Sequence, residues 1–137
     1  MTDLAIEKTI YLRATPARVW DYLTDPDKLA MWFHKPKFPL LEGSYEMMSG
    51  ETDDRMMWGE VQVAEPYSRL EYTFCIPPLG DRTSTVKWTL EEVAGGTKLS
   101  LRHEGLPASE EAFGLMLALD KGWDEHLGTM REAAHGE

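Results

Sequence analysis

Apolar residues recur first with period two, then at helical spacing, then with period two again, and last at helical spacing over a long stretch. Between Ala5 and Leu12, Ile6, Ile10 and Leu12 share one face of a predicted strand, and Lys8 interrupts that face as an edge or a strand end would. Thr15-Pro16 follows, a hydroxyl that can accept from a helix's first free N–H groups and a ring pre-set for the first helical position. The short helix it opens carries Val19, Trp20 and Leu23 on one side. Asp25-Pro26 repeats that grammar and opens a second short helix through Leu29, Trp32 and Phe33, which Pro36 and Pro39 end.

From Leu40 to Glu104 the pattern alternates. Leu41 to Met48 can form a strand, with Gly43 marking a bulge. Met56 to Ala64 puts Met57, Val61 and Val63 on one face and Trp58, Glu60 and Gln62 on the other. Arg69 to Ile76 turns Leu70, Tyr72, Phe74 and Ile76 inward, with Cys75 outward, and Pro77-Pro78 stops it. Thr85 to Val93 faces Val86, Trp88 and Leu90 inward, Gly95-Gly96 signals a hairpin, and Lys98 to Glu104 returns with Leu99, Leu101 and His103 inside. These strands predict an antiparallel meander with one wet face.

The last element is a long helix from about Ser109 to Ala134, with Met116, Leu119, Trp123, Leu127, Met130 and Ala134 at three- and four-residue intervals. It would run about 38 Å at ~1.5 Å per residue, against about 26 Å for an eight-residue strand. Such a helix must lie across the inner face of a strongly curved sheet, with the two short helices filling one end. The predicted class is α+β, a helix-grip arrangement in one domain.

Composition narrows the function. The chain has 137 residues, 14 Lys+Arg and 24 Asp+Glu, a net charge of −10. Nucleic acid and anionic membrane surfaces need a basic patch, so neither is an expected partner. One cysteine, Cys75, excludes an internal disulfide and a multi-cysteine metal cage. The longest apolar run, Ala112 to Leu119, falls short of the ~18 residues of a membrane span. MTDLAIEKTI has neither a basic nor an apolar leader region, so a cytoplasmic location is expected.

Four segments carry a family likeness. ATPARVWDYLTDPDKLAMWF (residues 14–33) resembles the first helices of the START-like, birch-pollen-allergen-like (SRPBCC) superfamily. GEVQVAEPYSRLEYTF (59–74), STVKWTLEEVAGGTKLSLRHEGL (84–106) and GWDEHLGTM (122–130) resemble the branch named for the activator of the heat-shock-protein-90 ATPase. The resemblance implies the helix-grip fold and a cavity between sheet and long helix that often takes an apolar small molecule. Activators of that kind use a separate domain to grip their client, and 137 residues are expected to leave no room for one. Around Met47 to Arg55 the chain departs from the family, with SYEMMSGETDDRMMW where a Gly-Trp-rich hairpin is usual near the cavity.

The aromatic and Met residues are the most informative chemistry. Trp32, Phe33, Met47, Trp58, Tyr72, Phe74, Trp88, Phe113, Met116 and Trp123 supply more bulk than a core this size requires. The residues alone favour a packed core; the resemblance turns the preference towards a cavity wall. With Leu101 and His103 added and the outward-facing Trp58 left out, this set is the candidate cavity lining. Gly122, mid-helix, marks either close packing on the sheet or room for a ligand. His103 reads as a structural histidine or, alternatively, as a polar handle in the cavity, and Tyr72 could serve likewise. His34, His103, His126 and His135 show no metal-ligand spacing, no nucleophile elbow is present, and no cofactor is expected. Glu51, Asp53 and Asp54 read as a solvated hairpin tip.

Three functions follow in order. The first is binding of an apolar or amphipathic small molecule by a carrier or sensor. The second is a cyclase- or hydratase-like enzyme, for which His103 with Tyr72 is the one dyad the strand phases permit. The third is a protein-interaction role, either a homodimer or a chaperone contact.

Overall fold

The computed structural model describes residues 3–48 and 55–136. The acidic tip at Glu51, Asp53 and Asp54 lies outside the described residues. Strand β1 (Leu4–Leu12) leads into helices α1 (Pro16–Thr24) and α2 (Pro26–Trp32), followed by the short β2 (Lys35–Pro36) and β3 (Gly43–Met48). The series β4 (Arg55–Glu65), β5 (Arg69–Phe74), β6 (Ser84–Val93) and β7 (Gly96–Leu106) ends in α3 (Phe113–Gly136). Seven strands form one antiparallel sheet in the order β1-β7-β6-β5-β4-β3-β2. The sheet curves around α3, which closes its concave side as the predicted α+β helix-grip class requires.

Local chemistry sets the helix starts. Thr15 Oγ1 accepts from Arg18 N at 3.3 Å, Asp25 Oδ2 accepts from Lys28 N at 3.1 Å, and Pro16 and Pro26 follow these caps. Asp25 also ends α1, its own N–H donating to Asp21 O at 2.9 Å. One residue thus joins the two helices at a fixed angle.

The far end of α3 is satisfied by α1. Arg18 Nη2 donates to Ala134 O at 3.0 Å and Tyr22 Oη to Ala133 O at 3.2 Å, supplying donors to carbonyls that have no partner within their own helix. Lys8, which breaks the apolar face of β1, reaches α3 instead and pairs with Asp120 at 2.7 Å and Asp124 at 3.0 Å.

Three boundaries differ from the sequence pattern. A bulge between Val61 and Val63 turns Val63 outward opposite Glu71, so Ala64, opposite Leu70, packs on the core instead. The hairpin turn is Ala94-Gly95, with Gly95 at φ +91°, and Gly96 is already paired with Val93. A Cβ on Gly96 would stand 2.1 Å from Leu12 O, which explains its glycine. The long helix begins at Phe113, because Ser109 closes a turn in which its Oγ and carbonyl both accept from Ala112 N.

Candidate functional site

A pocket of about 400 Å³ opens between the middle of α3 and the ends of β4 and β5. Phe33 and His34, just past α2, form one wall. Met56 and Met57 of β4, Phe74 of β5, Ile76 and Pro77-Pro78 form another. Ala118, Leu119, Gly122, Trp123 and His126 present α3 to it. The volume falls within the range of small-molecule sites. A larger hollow of about 600 Å³ lies between Pro36 and Glu46, but Lys37, Glu42 and Glu46 share its walls and α3 does not border it.

The 3.6-residue period of α3 explains its contribution. Leu119, Gly122, Trp123 and His126 lie three or four positions apart and share one face. A Cβ built on Gly122 meets nothing within 4 Å, so this glycine faces open space and the close-packing reading of it does not hold. Trp123 and Phe33 stack with centroids 5.5 Å apart at 23°, making a rigid aromatic floor. His126 Nδ1 lies 3.0 Å from Trp32 O, which fixes the ring against the end of α2.

Of the predicted lining residues, Phe33, Phe74 and Trp123 border the pocket. Trp32, Met47, Tyr72, Trp88, Leu101, His103 and Met116 are buried behind it in the core. Trp32 Nε1 donates to Tyr22 O at 2.7 Å, and Trp88 Nε1 donates to Tyr72 Oη at 3.1 Å. Phe113 departs from the prediction: it is the first residue of α3 and is 55% exposed, one turn short of the sheet's cover. Trp58 lies on the outer face, with the Arg55 guanidinium 3.9 Å above its ring. The candidate lining set left out His34, Met56, Ile76, Pro77, Ala118 and His126, although the strand pattern placed Ile76 inward. They come from β4, the chain after β5, the interior of α3 and the chain after α2, which only tertiary structure brings together.

His103 belongs to a closed relay. Trp123 Nε1–H donates to His103 Nδ1 at 3.0 Å; an indole can only donate, so the imidazole proton is on Nε2. Nε2–H then donates to Ser84 Oγ at 2.8 Å, and Ser84 donates to Phe74 O at 2.8 Å. Both ring nitrogens are used, and burial pushes the His103 pKa down to about 4. The registers place Tyr72 opposite Val86 and Val86 opposite His103, so the two polar residues are two strands, roughly 10 Å, apart. Burial also raises the Tyr72 phenol above its ordinary range, with Trp88 opposing. They form no dyad, and neither borders the pocket. Among the described residues, no three His, Cys, Asp or Glu side chains converge as a metal site would need, and no helix is long and apolar enough to cross a membrane.

A curved sheet gripping one long helix, with an aromatic pocket between them, defines a helix-grip protein of the START-like class. More narrowly, the chain belongs to the family described as Activator of Hsp90 ATPase homolog 1-like protein, whose model matches residues 13–135. A search of curated protein sequences returns no match. CalU16 from Micromonospora echinospora is similar in structure, 27% identical with TM-score 0.75, over 93% of this chain and 74% of that one. DynU16, from the dynemicin biosynthetic locus, is 23% identical with TM-score 0.76; the match covers 93% of this chain but only 46% of DynU16. The Aha1 dimer from Colwellia psychrerythraea shares the fold at 15% identity and TM-score 0.77, over 96% of both chains.

Proposed function

We propose that the chain binds an apolar or amphipathic small molecule in the pocket between α3 and the ends of β4 and β5, acting as a carrier or sensor. The observation that carries this reading is the bare flank of Gly122 facing that pocket, beside the Phe33–Trp123 stack. Of the open-sided glycines of α3, Gly122 is the one that lines this pocket, and glycine at a helix interior costs roughly 1 kcal/mol relative to alanine. Burying about 400 Å² of apolar surface across ligand and wall is worth about 10 kcal/mol; less about 4 kcal/mol for association, the dissociation constant is on the order of 10–100 µM.

Calorimetry with methyl 2-naphthoate, an uncharged bicyclic probe, tests this reading. Binding in that range is expected for the wild type. Gly122→Leu fills the pocket without striking the backbone, and is expected to weaken binding at least ten-fold while the fold persists by circular dichroism. Undiminished binding in Gly122→Leu removes the pocket from consideration.

A second reading is self-association. It is favoured by Phe38, 76% exposed, and Leu41, 43% exposed, which share the walls of the 600 Å³ hollow, and by the dimeric state named for the Colwellia relative. A monomeric mass in light scattering at ~100 µM protein excludes a dimer with a dissociation constant of about 10 µM or tighter.

A further inference from the structure

The walls of the pocket are selective in charge. The chain has 24 acidic residues against 14 Lys+Arg, yet no Asp or Glu lines the pocket among the described residues. Its titratable lining residues are Arg55, His34 and His126. The Arg55 guanidinium is engaged on the outer face, stacked over Trp58 and 3.5 Å from Glu46 Oε1. Two imidazoles therefore remain as the polar end of an otherwise apolar site, with ring centroids 5.9 Å apart. The acids nearest along the chain are occupied elsewhere: Asp27 pairs with Lys35 at 3.1 Å, Asp124 with Lys8 at 3.0 Å and Glu125 with Lys121 at 3.8 Å.

The hydrogen bonds fix what these rings offer. His126 Nδ1 faces Trp32 O at 3.0 Å, and a carbonyl can only accept, so Nδ1 carries the proton and Nε2 of the neutral ring keeps its lone pair. The His34 ring contacts Phe33 and His126 but makes no hydrogen bond to the described protein. Burial, and then the neighbouring His126, hold His34 below the ordinary histidine range and so uncharged at neutral pH. Two imidazoles thus stand together in a half-buried site that no carboxylate of the described lining borders.

Resting on the pocket reading above, we propose that the site selects apolar molecules bearing a weakly acidic head group, a carboxylic acid or an acidic phenol, held at His34 and His126. The ligand's acidic proton passes to one imidazole, or the anion arrives and the ring takes a proton from water. Either route leaves one imidazolium donating to the ligand oxygen. The imidazolium is His126, with Nδ1–H on Trp32 O and Nε2–H on the ligand oxygen, and His34 stays neutral and donates its own N–H, because two adjacent imidazolium charges would repel. The apolar body then lies along Gly122 and over the Phe33–Trp123 stack.

Three matched probes test this by calorimetry at neutral pH: 2-naphthoic acid, its methyl ester and 2-naphthalenemethylamine. The acid is expected to bind at least ten-fold tighter than the ester, and the ammonium more weakly than either. The double variant His34→Phe with His126→Gln alters two lining residues, so it is read as a ratio within the variant: the acid-to-ester affinity ratio is expected to fall to about one. Gln keeps a donor for Trp32 O. Should the double variant not fold, His34→Phe alone decides, since the His34 ring makes no hydrogen bond to the described residues; it is expected to cut the preference for acid over ester at least three-fold. Equal affinities for acid and ester, or a preference that survives the substitution, overturn this inference and leave the pocket reading in place. Failure of all three probes to bind overturns both.

Discussion

Replacing His103 with Gln tests how far one buried imidazole sets the acid stability of the fold. The ring is neutral, fully buried and hydrogen-bonded through both nitrogens, and its pKa lies near 4. In the unfolded chain an ordinary histidine titrates near 6.5. Between these values the unfolded state binds a proton that the folded state refuses. His103 therefore leaves stability intact above about pH 6.5 and removes it progressively as pH falls towards 4. Integrated from pH 7 to pH 5, the loss is about 2 kcal/mol, and it approaches about 3 kcal/mol by pH 4. For a chain of this length that corresponds to a fall in Tm of about 8 °C at pH 5. Gln can still accept from Trp123 and donate to Ser84 but cannot be protonated in this range. Urea unfolding of both proteins at pH 7 and pH 5 isolates the effect, since the surface carboxylates are common to both. The expected result is a pH-dependent loss about 2 kcal/mol smaller in His103→Gln. Equal losses in the two proteins would refute the assignment of His103 as a neutral buried ring.

Other substitutions probe separate parts of the fold. Gly122→Ala is expected to raise stability by up to about 1 kcal/mol, seen as a higher Tm, because its Cβ enters empty space and the helix gains propensity. Gly59→Ala sets a Cβ 2.2 Å from Thr73 O, an atom of the neighbouring strand, and is expected to cost more than about 3 kcal/mol in urea unfolding. Asp25→Ala removes the acceptor for Lys28 N and is expected to cost about 1 kcal/mol, whereas Asp25→Asn, which keeps a capping oxygen, stays within about 0.5 kcal/mol of wild type.

What the sequence made legible was local. Thr15-Pro16 and Asp25-Pro26 write their helix starts within four residues, and the structure has both. The inward faces of β5, β6 and β7 follow from strict alternation: Leu70, Tyr72, Phe74, Val86, Trp88, Leu90, Leu99, Leu101 and His103 are all buried. The bulge at Gln62 was not legible, because it exists only relative to the register of β5 and moves Val63 out and Ala64 in. Nor was the pocket as a whole. Its polar end joins His34, beyond α2, to His126, deep in α3, and neither has a local partner that marks it. Apart from the exposed Phe113 and the outward Trp58, the candidate aromatic and Met residues face inward, yet most of them fill the core and only Phe33, Phe74 and Trp123 border the pocket. Period two assigns a side chain to a face; it does not say whether a helix or a void lies opposite.

Trp123 belongs to two structures at once. Its indole N–H anchors the His103–Ser84–Phe74 relay, and its ring is the aromatic floor of the pocket. A guest too large for the site cannot push this floor aside without orphaning a buried imidazole nitrogen, a penalty on the order of 1–3 kcal/mol. His34, on the wall beside that floor, is half-buried, and its ring makes no hydrogen bond to the described residues. The cavity therefore gives way more readily on the His34 side than at the Trp123 floor. Larger guests are expected to displace His34 and the chain beyond it, while the Phe33–Trp123 floor and α3 hold.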